Sequence, residues 1–311
     1  MLDNQLSIII TTYKALDYLK LCVDSLLTNN RCQNQIVIYA DGSEDATHEY
    51  LQTLANHPNV KFRYEKENVG ITKALNRAAL MADNPYLYFV NDDMVFAPGF
   101  DEVLLRHARP DRVLTGAMIE PERPNQRLGK MQIKRNFGAV AAAFDRAAFD
   151  QEAPTLGEDH LFPGVAYPFM IAKDLYWQVG AIDERFSGPC HDPDLFFRLT
   201  LAGAEMLRVR DSLCYHFSGR SLRFEGDQEV VSANWIRAET DAQIAFLWKW
   251  GERPPRDRLG VVPRPGVTEQ PDGPWSLWRR CYITFHAWRY RTKADSRLQK
   301  LSKMGLLIES Q

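Results

Sequence analysis

Four short stretches of this 311-residue chain set acids or an imidazole where chemistry could be done. Asn91-Asp92-Asp93 follows the apolar run at residues 86–90. Carboxylates at a strand end can hold a hard divalent cation, Mg²⁺ or Mn²⁺, which favours oxygen ligands and would bridge the phosphates of a nucleotide. The same pair also suits a solvated turn or a helix cap. Asp41-Gly42-Ser43 follows a second apolar run. Asp41 could accept from a base N–H or a ribose hydroxyl, or close an Asx turn. In Cys190-His191-Asp192-Pro193-Asp194, an acid either caps a helix or serves as a general base toward a substrate hydroxyl. His216 ends another apolar run and is either an imidazole ligand to the same cation or a structural histidine.

A fifth stretch is neutral. Asn68-Val69-Gly70 precedes a helical pattern that carries Lys73 and Asn76. Gly70 allows close backbone approach and a helix N-terminus favours anions, so Lys73 could face a phosphate or simply solvent. The chain has no G-x-G-x-x-G and no Walker A run, which weighs against dinucleotide and P-loop readings. No Ser/His/Asp or Cys/His constellation offers an enzyme nucleophile.

The elements that must position these residues alternate. Residues 6–10, 36–39, 60–64 and 86–90 read as strands, and 16–27, 45–55 and 72–81 as helices. Such alternation predicts a doubly wound α/β sheet, mostly parallel, with ligands at the carboxyl ends of its strands. Thr11-Thr12-Tyr13, Asp41 and Asn91-Asp92-Asp93 all fall at such ends. Farther on, residues 109–135 are rich in Pro, Arg and Lys and are expected to contain loops. Residues 137–144, 169–173, 206–209 and 212–216 read as strands, and 175–179, 192–201 and 229–250 as helices. Six prolines within 251–274 mark a linker, and 275–311 reads as a basic, aromatic, helical tail.

Composition narrows the classes. Lys+Arg 38 against Asp+Glu 40 gives −2, too balanced for a dedicated nucleic-acid binder. With 45% hydrophobic residues the chain can bury a sizeable core. Five scattered cysteines with no C-x-x-C suggest neither a disulfide framework nor a zinc knuckle, so a reducing cytoplasm is the simplest expectation. Neither a secretory leader nor a membrane-spanning run is expected.

The order of these stretches resembles family 2 of the glycosyltransferases, nucleotide-sugar enzymes of the GT-A fold. Residues 7–13, 41–45, 67–70 with Asn76, 91–93, 179–186, 191–195 with Arg198 and Gly203, and His216 carry the resemblance, which covers about 5–250. It implies a catalytic domain over 1–250, with a nucleotide-binding half (1–100) and an acceptor-binding half (101–250). Thr11, Thr12, Tyr13, Asp41, Asn68, Gly70, Lys73, Asn91 and Asp92 would bind the nucleotide sugar. Asp93 and His216 would hold Mn²⁺ or Mg²⁺, and Asp192 would be the general base. Ala40, Asn91 and His191 stand where the family often has acids. The Asn91 and His216 pattern resembles the rhamnosyl- and galactofuranosyl-transferring branches.

The resemblance implies inverting transfer from a donor such as a UDP- or dTDP-sugar to a saccharide or lipid-linked hydroxyl, without nucleic acid. A nucleotidyltransferase acting on a sugar phosphate and a catalytically silent sugar-nucleotide-binding protein are the competing expectations. In the tail, Trp275, Trp278, Tyr282, Phe285 and Trp288 recur at helical steps beside several arginines. That stripe suits docking on the protein's own domain, on a partner helix, or on the inner face of a membrane.

Overall fold

The computed structural model describes residues 5–43, 45–121, 132–186, 188–218, 230–255 and 275–308. The first hundred residues form β1 (Leu6–Thr12), α1 (Leu16–Asn29), β2 (Gln35–Asp41), α2 (Thr47–Thr53), β3 (Val60–Glu65), α3 (Ile71–Met81), β4 (Tyr86–Asn91) and the short β5 (Met94–Phe96). There follow α4 (Phe100–Arg106), β6 (Arg112–Glu120), β7 (Ile133–Lys134), α5 (Arg146–Glu152), β8 (Leu161–Pro163), β9 (Phe169–Ala172), α6 (Lys173–Gln178), α7 (His191–Leu201) and β10 (Glu205–His216). The rest is β11 (Val231–Ser232), α8 (Ala233–Trp250), α9 (Leu277–Lys303) and β12 (Leu307–Ile308).

The main sheet has the order β3-β2-β1-β4-β9-β6-β10-β5, with β7 beside β6 and β8 beside β10. Its first four strands are parallel, as expected of βα units: β1, β2 and β4 are apolar and buried on both faces, and the half-exposed β3 forms the edge. Beyond β4 the sheet is mixed: β9 runs antiparallel to both neighbours, while β6 and β10 are parallel. One hydrophobic core extends from Leu6 in β1 to Trp250 in α8, so the two halves expected from the sequence share it.

The structure adds one strand and changes two expectations. Residues 109–135, expected to contain loops, also carry a strand. The run Val113-Leu114-Thr115-Gly116-Ala117-Met118-Ile119 is strand β6, buried between β9 and β10; residues 122–131 lie outside the described set. Residues 137–144 are not a strand. Gly138 turns the chain at φ +132°, the Asp145 N–H donates to the Phe137 carbonyl at 2.7 Å, and Ala141–Ala143 form one 3₁₀ turn. The apolar alternation there packs Phe137 and Phe144 around Tyr215. Residues 206–216 are one strand. Its register to β6 jumps from Val209↔Gly116 to Leu213↔Ala117, so Arg210, Asp211 and Ser212 form a bulge. The Ser212 carbonyl lies 2.7 Å from where a Cβ on Gly116 would stand, so only glycine admits it.

The tail is helical, as expected, and docked. Trp275 packs over Gly251, its indole N–H donates to the Trp248 carbonyl at 2.8 Å, Arg297 pairs with Glu239 of α8 at 3.0 Å, and β12 pairs with β11. Of the proline-rich segment, 256–274 lies outside the described residues.

Candidate active site

Strand register collects the first set of residues. Thr11 of β1 is level with Tyr39 of β2 on one side and Asn91 of β4 on the other. The turns after these three strands therefore open on one edge, where the order reverses about β1, the position at which α/β sheets bind ligands. Asp41 is buried there. Its carboxylate accepts from the Val69 and Gly70 N–H groups at 2.7 and 3.0 Å, while the Asn68 amide donates to the Asp41 carbonyl at 3.1 Å. Burial pushes the Asp41 carboxyl up, against the pull of those two amides. Gly42, at φ +76°, makes the approach possible: a Cβ would stand 2.4 Å from the Asn68 nitrogen. The Lys14 N–H donates to the Ser43 hydroxyl at 3.0 Å and ties the turn after β1 to the turn after β2.

Near this edge two groups remain open to a ligand. The buried Thr12 hydroxyl makes no hydrogen bond with the described residues. Gly70 precedes α3 with clear space where a side chain would be. Lys73 is exposed on the first turn of α3. Asn76 belongs to the scaffold: it accepts from the Tyr176 hydroxyl at 2.6 Å and donates to the Ile182 carbonyl at 2.9 Å, pinning α3 to the turn after α6.

The second set is built by β5, β6 and β10. β5 folds back antiparallel on β10 with His216 level with Met94, and the Phe217 N–H donates to the Asp93 carbonyl at 3.1 Å. On the other side Tyr215 is level with Ile119, which brings His216 beside Glu120. Thus His216 Nε2 lies 3.4 Å from Asp93 Oδ1 and 3.5 Å from the Asn91 amide, while Nδ1 lies 2.6 Å from Glu120 Oε1. Gln132 donates to the other Glu120 oxygen at 2.7 Å. Burial works against the charge on His216, but Asp93 and Glu120 outweigh it and lift the imidazole to about 10. Sequence reasoning misses Glu120 because it misses the strand that carries it; an apolar run ending in an acid is the available signal.

An Asp oxygen and an imidazole nitrogen 3.4 Å apart have the spacing of neighbouring ligands on one cation, and once Nε2 gives up its proton both are suitable donors for a divalent metal. Among the described residues no group of three His, Cys, Asp or Glu side chains is arranged to hold a metal. A cation here would complete its shell with non-protein oxygens.

The third set is at the start of α7. Cys190 takes the left-handed conformation just before the helix, at φ +81°, and His191 is held by the Gly188 carbonyl at 2.8 Å. Asp192 and Asp194 are both buried on the first turn. Asp194 is fully engaged: Arg198 holds one oxygen at 2.8 Å, and Lys249 and the Trp250 indole reach the other at 2.5 and 2.8 Å. No hydrogen bond or ion pair with a described residue engages the Asp192 carboxylate. Burial and then the charges of Asp192, Tyr176 and Asp92 push the Tyr167 hydroxyl well up. Asp92 and Asp192, a hundred positions apart in sequence, are thus near enough to one phenol to affect it.

A mixed sheet of this order, with acids at its strand ends, is the GT-A architecture. The profile described as "Glycosyl transferase family 2" matches residues 7–155. The uncharacterized glycosyltransferase YibD of Escherichia coli is 35% identical over 109 residues, 35% of this chain and 31% of that one. Two solved structures share the fold. Mannosyltransferase PcManGT from Pyrobaculum calidifontis has a TM-score of 0.54 at 14% identity, covering 97% of this chain and 76% of that one. TarS residues 1–349 of S. aureus gives 0.51 at 15%, covering 78% and 65%. The chain spans about a third or less of the length of the first curated relatives it matches.

Proposed function

We propose that this chain is an inverting glycosyltransferase that moves a sugar from a nucleoside-diphosphate donor to a hydroxyl acceptor, with Asp192 as general base. The observation that carries the reading is the contrast on the first turn of α7. Asp194 is saturated by Arg198, Lys249 and Trp250, whereas Asp192 keeps a buried carboxylate with no described partner. A base needs such a free lone pair directed at a substrate proton. Asp192 removes the acceptor proton as the acceptor oxygen attacks the anomeric carbon. One displacement inverts the configuration, and the sugar passes through an oxocarbenium-like state.

The donor lies at the edge formed by β1, β2 and β4. Thr12 offers its unpaired hydroxyl, Tyr13 and the Asp41 turn line the base and ribose, and Gly70 with Lys73 faces the phosphates across the start of α3. Asp93 and His216 would hold Mn²⁺ or Mg²⁺, and Asn91 and Asp92 stand beside them in sequence. Bound there, the cation would neutralise charge on the diphosphate leaving group. The solved structures of the same fold are complexes of TarS with UDP and of PcManGT with GDP-Man and Mn²⁺. We assign the donor as a UDP- or dTDP-sugar and the acceptor as a saccharide or lipid-linked saccharide. Residues 1–250 form the catalytic unit, and the tail lies outside the chemistry.

A thermal-shift screen of sugar nucleotides with Mn²⁺ or Mg²⁺ tests donor binding, since a ligand of the native state raises its stability by mass action. Donor turnover by the wild type and by Asp192→Asn then tests the base. The reading fails if no sugar nucleotide shifts the melt with either metal, or if Asp192→Asn turns over at the native rate.

A further inference from the structure

Docking of α9 divides its surface in two. Ile283 and Ala287 are buried, and with Arg297 on Glu239 they form the face turned to the body of the protein. The opposite face of its first three turns is apolar and bare. Leu277 is 76% exposed, Trp278 85%, Phe285 52% and Trp288 61%. At 100° per residue these four lie within one third of the helix circumference. Arg280 and Arg291 border them on one side, and Arg289 and Lys293 on the other, all exposed. Phe285 and Trp288 are ring neighbours at 6.1 Å, and the Arg289 guanidinium lies 5.7 Å from the Phe285 centroid. The helix holds eight Lys/Arg and one acid, Asp295, two turns beyond Trp288. Trp248, at the end of α8, is also exposed beside the start of α9.

We propose that this face of α9 seats the protein on an anionic lipid surface. Singly exposed apolar residues are ordinary; four large ones grouped on one helix face mark an interaction surface. Tryptophan prefers the boundary between headgroups and acyl chains, and arginines flanking an apolar stripe meet lipid phosphates at that depth. Charge selects this occupant over a second copy of the chain. A symmetric pairing through the patch would set Arg280, Arg289 and Arg291 of each copy against those of the other, with no acid on the patch to compensate. No helix among the described residues is long and apolar enough to cross a membrane, so the contact is interfacial. The proposal is independent of the transfer reaction.

The full chain is sedimented with vesicles of phosphatidylcholine alone and of phosphatidylcholine mixed with phosphatidylglycerol, at low and high salt. It should pellet with the mixed vesicles at low salt, shift its tryptophan emission to the blue, and release as salt is raised. Trp278→Ser with Trp288→Ser should weaken binding on the order of tenfold or more. Arg280→Gln, Arg289→Gln and Arg291→Gln should each weaken it about fivefold. All five side chains are exposed, so circular dichroism melts should match wild type. Absence of pelleting at low salt overturns the proposal, as does undiminished binding by the double tryptophan variant. Light scattering that finds a dimer dissolved by the same tryptophan changes assigns the face to a second copy instead.

Discussion

Asp192 and Asp194 stand two positions apart on one helical turn, and their surroundings predict opposite consequences of the same change. Asp192→Asn keeps size and polarity but removes basicity. It should lower turnover by about 10²-fold or more while nucleotide affinity and the melt stay near native. Asp194→Asn leaves Arg198 and Lys249 facing a neutral amide in a buried site, and should cost about 3–5 kcal/mol of stability in urea unfolding. Comparable stability losses in both would remove the distinction on which the assignment of the base rests. Glu120 acts differently, by fixing the His216 ring so that Nε2 points to Asp93. Partners of this kind typically change metal affinity by tenfold to a hundredfold. Glu120→Gln should therefore weaken Mn²⁺ binding to the protein–nucleoside diphosphate complex by about that factor in calorimetry, with the melt little altered; unchanged affinity would make Glu120 a packing residue only. The acids at the start of α7 are legible in sequence because their neighbours in the chain mark them. Glu120 is not, because its partner is 96 residues away and only the register of β6 with β10 joins them.

At the scale of elements, the parallel half is legible because each strand is one apolar run ended by a turn signal, and helical spacing separates the runs. The mixed half gives weaker signals. β6 begins and ends in charged residues, β10 is interrupted by its polar bulge, and the aromatics at 137–144 alternate because a tight loop packs them, not because the chain is extended. Glycine positions separate structural need from accident. Gly42 and Gly203 have similar φ, +76° and +81°, but a Cβ at Gly42 meets the backbone of Asn68 whereas Gly203 faces open space. Gly203→Ala should carry only the backbone strain of about 1 kcal/mol or somewhat more. Gly42→Ala adds a clash that must push the 67–70 loop from Asp41, so its melt should fall further and its nucleotide affinity should drop as well. Equal melting shifts and equal affinities in the two variants would mean that the close approach of these loops does not shape the nucleotide edge.

Across the whole molecule, one buried cation couples the first turn of α7 to the C-terminal helices. Lys249 lies in α8, with its ammonium 2.7 Å from Asp183 and 2.5 Å from Asp194. Beside it Trp250 packs edge-on against Phe197 of α7, and α8 in turn carries α9 through the Glu239–Arg297 pair. Burial by itself would raise the Asp183 carboxyl, but hydrogen bonds from Arg185 and Lys249 outweigh it and hold the group well below the usual carboxylate range. A carboxyl depressed in the folded state contributes stability that is fully present above its unfolded value, about 3.9, and is lost as pH falls from there toward the folded value. The stability of the wild type in urea should therefore fall steadily below about pH 4. Lys249→Met removes the cation and leaves Asp183 and Asp194 short of a partner, which should cost about 3–5 kcal/mol at neutral pH. The same variant should show a shallower loss on acidification, because less of the Asp183 shift remains to be lost; Arg185 keeps part of it. Because Lys249 joins α8 to the turn that bears Asp192, its loss should also lower turnover more than it lowers nucleotide affinity, whose proposed contacts lie on β1, β2 and α3. A variant with native stability at pH 7 and the wild-type acid slope would show that the two carboxylates are held by their arginines, and that α8 and α9 are not coupled to the first turn of α7 through this lysine.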